Sequence, residues 1–179
     1  KWPGKIKAGT SEEPITAVDL FPTLCEIAQV PMPGQVCDGH SIVAHATGNS
    51  KTISPSGEPR ALFWHFPAYL ESSRLRRLYT EQRGPIFRTR PCSVIRKGNW
   101  KLLQFFETGD TELYNLASDI GETKNLAAEN PAIASSLLQE LKNWQAETGA
   151  DIPTKKNPEF DSDLEAKQIR KLLSRQPTK

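Results

Sequence analysis

The chain has 179 residues, enough for one domain of ordinary size or a small domain with extended arms. Its 23 basic and 21 acidic residues leave a formal net charge of +2, so the composition does not predict a nucleic-acid partner. The sequence holds no continuous apolar run of about 18 residues, and it therefore predicts no membrane span. The chain begins with Lys1 and not with Met, which suggests a fragment of a longer protein.

The first 60 residues predict one clear helix in an otherwise irregular region. Asp19 is placed to cap this helix, and Pro31 and Pro33 follow its end. One further short helix is expected within residues 36–47, and a polar surface loop over residues 49–59. The apolar positions that define the main helix are Leu20, Leu24, Ile27 and Ala28.

The middle of the chain predicts a small antiparallel sheet of about four strands. Tight turns are expected at Gly98 and at Gly109, because glycine accepts a positive φ without a Cβ clash. Alternation places Leu102, Gln104 and Phe106 on one face of the third strand. The four predicted strands cover about residues 61–66, 93–97, 101–106 and 111–116.

A helix near residues 131–147 is predicted to cover one face of that sheet. Asn130 is a good N-cap, Pro131 suits the first helical position, and Gly149 marks the end. Sheet and helix together predict an α+β fold for residues 61–150. Its apolar positions recur at helical spacing: Ile133, Leu137, Leu138, Leu141 and Trp144.

Two segments have no clear secondary-structure pattern. Between Pro67 and Pro91 arginines are frequent and no period is sustained, so we expect an excursion or a long loop. Residues 151–179 form a charged tail. A short helix over residues 161–175 and a frayed end are the two alternative predictions for it.

The cysteines and carboxylates of the sequence do not indicate a metal site. Cys25, Cys37 and Cys92 permit at most one disulfide, and none belongs to a CxxC pair typical of a metal site. No close pair of aspartates is placed to bind a hard cation such as Ca²⁺.

Six phrases in order resemble the C-terminal portion of the type I, formylglycine-dependent sulfatases, with arylsulfatase-like members as the best match. The resemblance covers roughly residues 1–160, and it implies the alkaline phosphatase superfamily fold. The six phrases are KWPGKIKAG, AVDLFPTL, CDGHSIV, ALFWHFP, SVIRKGNWKLL and ELYNLASDIGETKNLA.

This resemblance implies that residues 1–60 end a catalytic α/β domain and that residues 61–150 form its C-terminal subdomain. The family's formylglycine comes from a (C/S)xPxR motif, which this chain lacks. Formylglycine, Ca²⁺ and their ligands are therefore expected upstream of Lys1, so no catalytic or metal residue is assigned here. The implied partners are the N-terminal catalytic domain and a sulfated small molecule or carbohydrate. A periplasmic or secreted location is also implied.

Three residues are candidates for substrate contact. His65 ends a strand among aromatic residues, where its imidazole would hydrogen-bond a sulfate or sugar oxygen; a packed, structural histidine is the alternative. Arg88 and Arg90 carry guanidinium groups suited to sulfate oxygens, and a solvated charged loop is the alternative. His40 and His45 are interpreted as structural or surface residues.

Two other functions stay open at this point. A phosphatase, phosphodiesterase or phosphonate hydrolase of the same superfamily would accept another tetrahedral anion. A binding module without chemistry is the alternative from outside the enzymes.

Overall fold

The structure, a computed structural model, describes residues 2–71, 87–155 and 157–174. The chain divides into two compact units, Lys1–Arg60 and Ala61–Lys179. Within the described residues, no helix combines the length and the apolar character needed to cross a membrane.

The first unit contains a 3₁₀ turn and two helices. The turn covers Ala17–Asp19, helix α1 covers Leu20–Ala28, and α2 covers Val43–Ala46. Gln29 ends α1 in the left-handed region at φ +56°. Large side chains of α1 are exposed, for example Leu24 at 62%. The helix therefore buries little apolar surface within this unit.

The carboxylate of Asp19 joins three separate segments of the first unit. Its Oδ1 accepts hydrogen bonds from His40 N at 3.0 Å and Arg60 Nη1 at 2.7 Å. Its Oδ2 accepts from Thr16 N at 2.7 Å and from Arg60 Nη2. Asp19 is fully buried, and the Arg60 side chain is 7% exposed. Asp19 does occupy the predicted N-cap position, but its side chain makes no cap hydrogen bond because these other donors engage it.

These bonds hold the Asp19 carboxylate in its charged form. Burial acts to raise its pKa, but hydrogen bonds from Arg60, Thr16 and His40 outweigh burial and keep the pKa well below its ordinary value. Asp19 therefore contributes stability that depends on ionisation.

Gly39 lies where two backbone segments of the first unit almost touch. A Cβ placed on Gly39 would be 2.0 Å from the carbonyl oxygen of Val18. Glycine is therefore required here by the close approach of the backbone, which also brings His40 N to Asp19.

The second unit has six described strands in chain order: β1 (Ala61–Phe66), β2 (Leu70–Glu71), β3 (Phe87–Thr89), β4 (Cys92–Lys97), β5 (Trp100–Phe105) and β6 (Thr111–Asn115). It contains the antiparallel sheet predicted from the sequence, in the order β1-β4-β5-β6. Strand β1 pairs with β4, β4 pairs with β5, and β5 pairs with β6, all antiparallel. Gly98 and Gly109 have φ values of +57° and +74° in the two connecting turns. The α+β fold is thus confirmed.

Helix α3, Pro131–Thr148, covers one face of this sheet as predicted. Phe63 of β1 stacks on Trp144 of α3, with ring centroids 4.9 Å apart and planes within 2°. Asn130 and Gly149 flank the helix, although the Asn130 side chain makes no cap hydrogen bond. The buried cluster between sheet and helix consists of Ile95, Leu102, Leu113, Leu137 and Leu141.

Of the excursion or long loop predicted over residues 67–91, residues 72–86 lie outside the described residues, and the described parts include two short strands. Leu70–Glu71 (β2) and Phe87–Thr89 (β3) form a two-stranded antiparallel sheet. These strands have two and three residues and a register shift, so they are too short to leave a periodic pattern.

The charged tail contains a helix, α4, over Ser162–Ser174. The Asp161 side chain caps it, because Oδ1 accepts hydrogen bonds from Asp163 N and Leu164 N, each at 2.9 Å. Of the two open alternatives for this region, the structure has the helix.

We expect Asp19→Asn to destabilise the protein by about 3–5 kcal/mol at pH 7, because Arg60 is left buried without its counter-charge. The depressed pKa of Asp19 contributes stability above the unfolded pKa of about 3.9, and this stability is lost as the pH falls toward the folded pKa. The variant should therefore lack part of the acid destabilisation of the wild type. Urea unfolding of the full-length protein at several pH values measures both effects.

Asp38→Asn is the matched control for this experiment, because it makes the same change at an exposed carboxylate. It should alter neither the free energy of unfolding nor its pH dependence. Equal losses in the two variants would contradict the role given to Asp19.

We expect Gly39→Ala to destabilise the protein by about 1–3 kcal/mol or more, since the new methyl group meets the backbone of Val18. Gly34→Ala is the control, because a Cβ at Gly34 meets nothing within 4 Å. Thermal unfolding of both variants should show a lower Tm for the first alone, and similar Tm values would refute the close approach.

Candidate functional site

His65 lies near the end of β1, on the face of the sheet that α3 covers. It alternates with Phe63, which packs against the core beneath α3, and it pairs in register with Ser93 of β4. Its Nδ1 is 2.8 Å from Ser93 Oγ, and its Nε2 is 3.1 Å from the carbonyl oxygen of Asp151. The Phe106 ring lies beside the imidazole, with centroids 5.7 Å apart. Both ring nitrogens therefore have partners inside the second unit.

A row of polar side chains continues from His65 across the sheet. Ser93 is fully buried and lies opposite Gln104 of β5. Gln104 Oε1 accepts a hydrogen bond of 3.1 Å from Gln145 Nε2, near the end of α3. Gln145 is 6% exposed, so this polar contact is shielded from water. The end of α3 is thus joined to the sheet by hydrogen bonds as well as by apolar packing.

Arg90 lies between β3 and β4 along the chain, in a cluster with the carboxylate of Glu107 and the rings of Tyr69 and Phe105. Its Nη1 donates to Glu107 Oε2 at 3.1 Å, and its Cζ is 5.5 Å from the centroid of Phe105. The hydroxyl of Tyr69 donates to the other oxygen of Glu107. Partial burial and the neighbouring Glu107 raise the pKa of Tyr69 above its ordinary value, which keeps the phenol a donor.

The other sequence candidates are dispersed over the fold. Arg88 belongs to β3, but its side chain lies outside the described residues. His40 contributes its backbone N–H to Asp19, and His45 Nε2 is 2.6 Å from Ser11 Oγ. His65 and Arg90 each have internal partners, and their contact with substrate stays a prediction.

No metal site is found in the part of the chain that the structure describes. No group of three or more His, Cys, Asp or Glu residues there is arranged to hold a metal ion. All three cysteines are thiols, with Cys25 and Cys92 buried. Asp119 accepts hydrogen bonds from Lys124 N and from Thr123, which lower its pKa and order the loop before α3.

Sequence reasoning missed the partners that fix the candidate side chains. His65 and Ser93 both lie in predicted strands of one sheet, but alternation alone does not give the register that pairs them. No local signal indicates Asp151 or Gln145, which reach the sheet only through the folding of α3. Glu107 lies in the turn predicted at Gly109, and a turn pattern gives no sign of its contacts with Arg90 and Tyr69.

Comparison with known proteins identifies the family. Residues 1–147 match the family described as N-sulphoglucosamine sulphohydrolase, C-terminal. A sulfatase of Formosa agariphila is 33% identical over 166 residues, which cover 84% of this chain and 27% of that protein. Human arylsulfatase A is 27% identical over 166 residues, which cover 80% of this chain and 28% of that protein. The chain thus spans about a quarter of the length of these relatives.

Solved structures share the fold. The structure of BT4656 in complex with its substrate D-glucosamine-2-N,6-O-disulfate has a TM-score of 0.61 and 23% identity, covering 88% of this chain and 29% of that chain. The crystal structure of Ps i-CgsB has a TM-score of 0.57 and 20% identity, covering 97% of this chain and 32% of that chain. The resemblance to arylsulfatase-like sulfatases is confirmed. The chain belongs to the sulfatase family described as N-sulphoglucosamine sulphohydrolase, C-terminal.

Proposed function

We propose that this chain is the C-terminal part of an enzyme that hydrolyses sulfate esters, with a sulfated carbohydrate as the favoured substrate class. The match of residues 1–147 to a sulfatase C-terminal family carries this proposal. A sulfated glucosamine is the substrate of one structural neighbour, which supports the carbohydrate class without identifying the ester.

In this proposal the nucleophile and the metal site belong to the region upstream of Lys1. Formylglycine and Ca²⁺ would supply a hydrated aldehyde nucleophile and a positive charge beside the sulfate oxygens. The contribution of the chain itself is to complete the fold and one side of the substrate cleft.

The exposed apolar side chains of α1 support a continuation of the first unit. Phe21 and Leu24 are 51% and 62% exposed, and Leu20 and Ile27 are 53% and 44% exposed. A helix of nine residues with so much apolar surface needs a cover. In our proposal, residues 1–60 end the catalytic α/β domain, whose upstream part packs on this helix.

The candidate substrate residues belong to the second unit. Arg90 is held by Glu107, so it would meet a sulfate group as a fixed guanidinium with part of its charge already balanced. This arrangement suits an outer contact with an anionic sugar better than contact with the reacting sulfate. A phosphate-ester substrate has no separate support among these residues.

The proposal predicts that the full-length protein with formylglycine installed releases sulfate from a sulfated glucosamine and from a chromogenic aryl sulfate. Chelation should abolish turnover and Ca²⁺ should restore it. The isolated 179-residue chain should give no turnover above a mock preparation, because it lacks the nucleophile. Sulfate release measured by ion chromatography checks all three expectations.

Two results would contradict this function. One is turnover by the isolated chain, which would place the nucleophile within it. The other is hydrolysis of phosphate or phosphonate esters by the full-length protein without any sulfate release, which would move the protein to another branch of the superfamily. A variant lacking the formylglycine precursor residue is the control.

A further inference from the structure

The partners of His65 define the tautomer of its neutral imidazole. A carbonyl oxygen can only accept, so the 3.1 Å contact with Asp151 requires a proton on Nε2. In the neutral imidazole Nδ1 is then an acceptor, and the Ser93 hydroxyl donates to it at 2.8 Å. The imidazole therefore links the sheet on one side to the chain beyond α3 on the other.

The position of the imidazole is fixed from the side of the sheet. Ser93 is fully buried on a strand with neighbours on both edges, so its hydroxyl is held in place. The Phe106 ring lies beside the imidazole at 5.7 Å with a tilt of 52°. Nε2 is consequently aimed in one direction, away from the sheet and towards residue 151.

The turn after α3 places the carbonyl oxygen of Asp151 next to His65 Nε2. Gly149 is left-handed at φ +63°, and Ala150 N donates to Gln145 O at 2.9 Å, which reverses the chain after the helix. Gln145 is itself bonded to Gln104, so the turn starts from a fixed point. Residues 151–155 are exposed and have no helix or strand of their own.

We propose that His65 is a positioning residue whose Nε2–H anchors the segment of residues 150–155 to the edge strand β1. The anchor sets the direction in which the chain leaves α3 on its way to α4. The Asp151 carbonyl selects the tautomer, because it can only accept, and the Ser93 hydroxyl is compatible with that tautomer because it can donate to Nδ1 and hold the ring in place. This role needs no bound substrate.

The test uses the full-length protein and limited trypsin digestion. Lys155 lies in the anchored segment and is exposed, and Lys142 is an exposed site on α3 that serves as an internal reference. Replacing His65 with Ala or Asn should raise cleavage at Lys155 about 5- to 10-fold, as expected from the loss of one net hydrogen bond. Cleavage at Lys142 should not change.

Two further variants separate anchoring from general packing. His65→Gln carries an amide donor at about the reach of Nε2, whereas the shorter side chain of His65→Asn does not, so Gln should restore most of the protection. Ser93→Ala keeps the imidazole but removes the donor to Nδ1, and it should give a smaller rise in cleavage. Tm values of all variants are measured in parallel.

Several results would overturn the proposal. Unchanged cleavage at Lys155 in both the Ala and Asn variants shows that there is no anchor. An equal rise at Lys142, or equal effects of Gln and Asn, shows loss of packing and not of a directed hydrogen bond. A fall in kcat/KM for sulfate-ester hydrolysis with cleavage at Lys155 unchanged assigns His65 to substrate contact instead.

Discussion

The first unit depends on the buried carboxylate of Asp19. Few large apolar side chains of this unit are buried, with Ile53 at 6% exposure as one example, so hydrophobic burial alone does not fix its segments. Arg60 and His40 reach Asp19 from distances of 41 and 21 residues along the chain. A buried charge is tolerated only when it is paired and fully hydrogen-bonded. That requirement forces the segments around residues 16, 40 and 60 into one arrangement.

The second unit combines an apolar core with a polar end. The row formed by Ile95, Leu102 and Leu113 lies beneath α3 and supplies the core. Two residues further along the strands, the same face carries Ser93 and Gln104. These groups are bonded to His65 and Gln145, so their burial costs little. Apolar burial favours the packing of α3, whereas the polar row fixes the position of its end.

Sequence patterns predicted the elements of this fold and not its long-range polar contacts. The spacing of apolar residues, with a period of 2 in strands and 3.6 in helices, predicted the four-stranded sheet and α3. Gly98 and Gly109 predicted the two turns. The pair of short strands β2 and β3 was missed because pairing between distant residues left no local pattern. Asp19 lies at the predicted N-cap position, yet its side chain accepts a hydrogen bond from Arg60, 41 positions away. Asp151, one of the two partners of His65, is 86 residues distant, so this hydrogen bond followed from the fold alone.

The phrases that identify the family contain residues that hold the fold. AVDLFPTL supplies the carboxylate of Asp19, and CDGHSIV supplies Gly39 together with the backbone of His40. SVIRKGNWKLL supplies Ser93 of the polar row and two members of the core. Each of these contacts is made between residues of one unit. These phrases therefore carry contacts that determine the fold of this region.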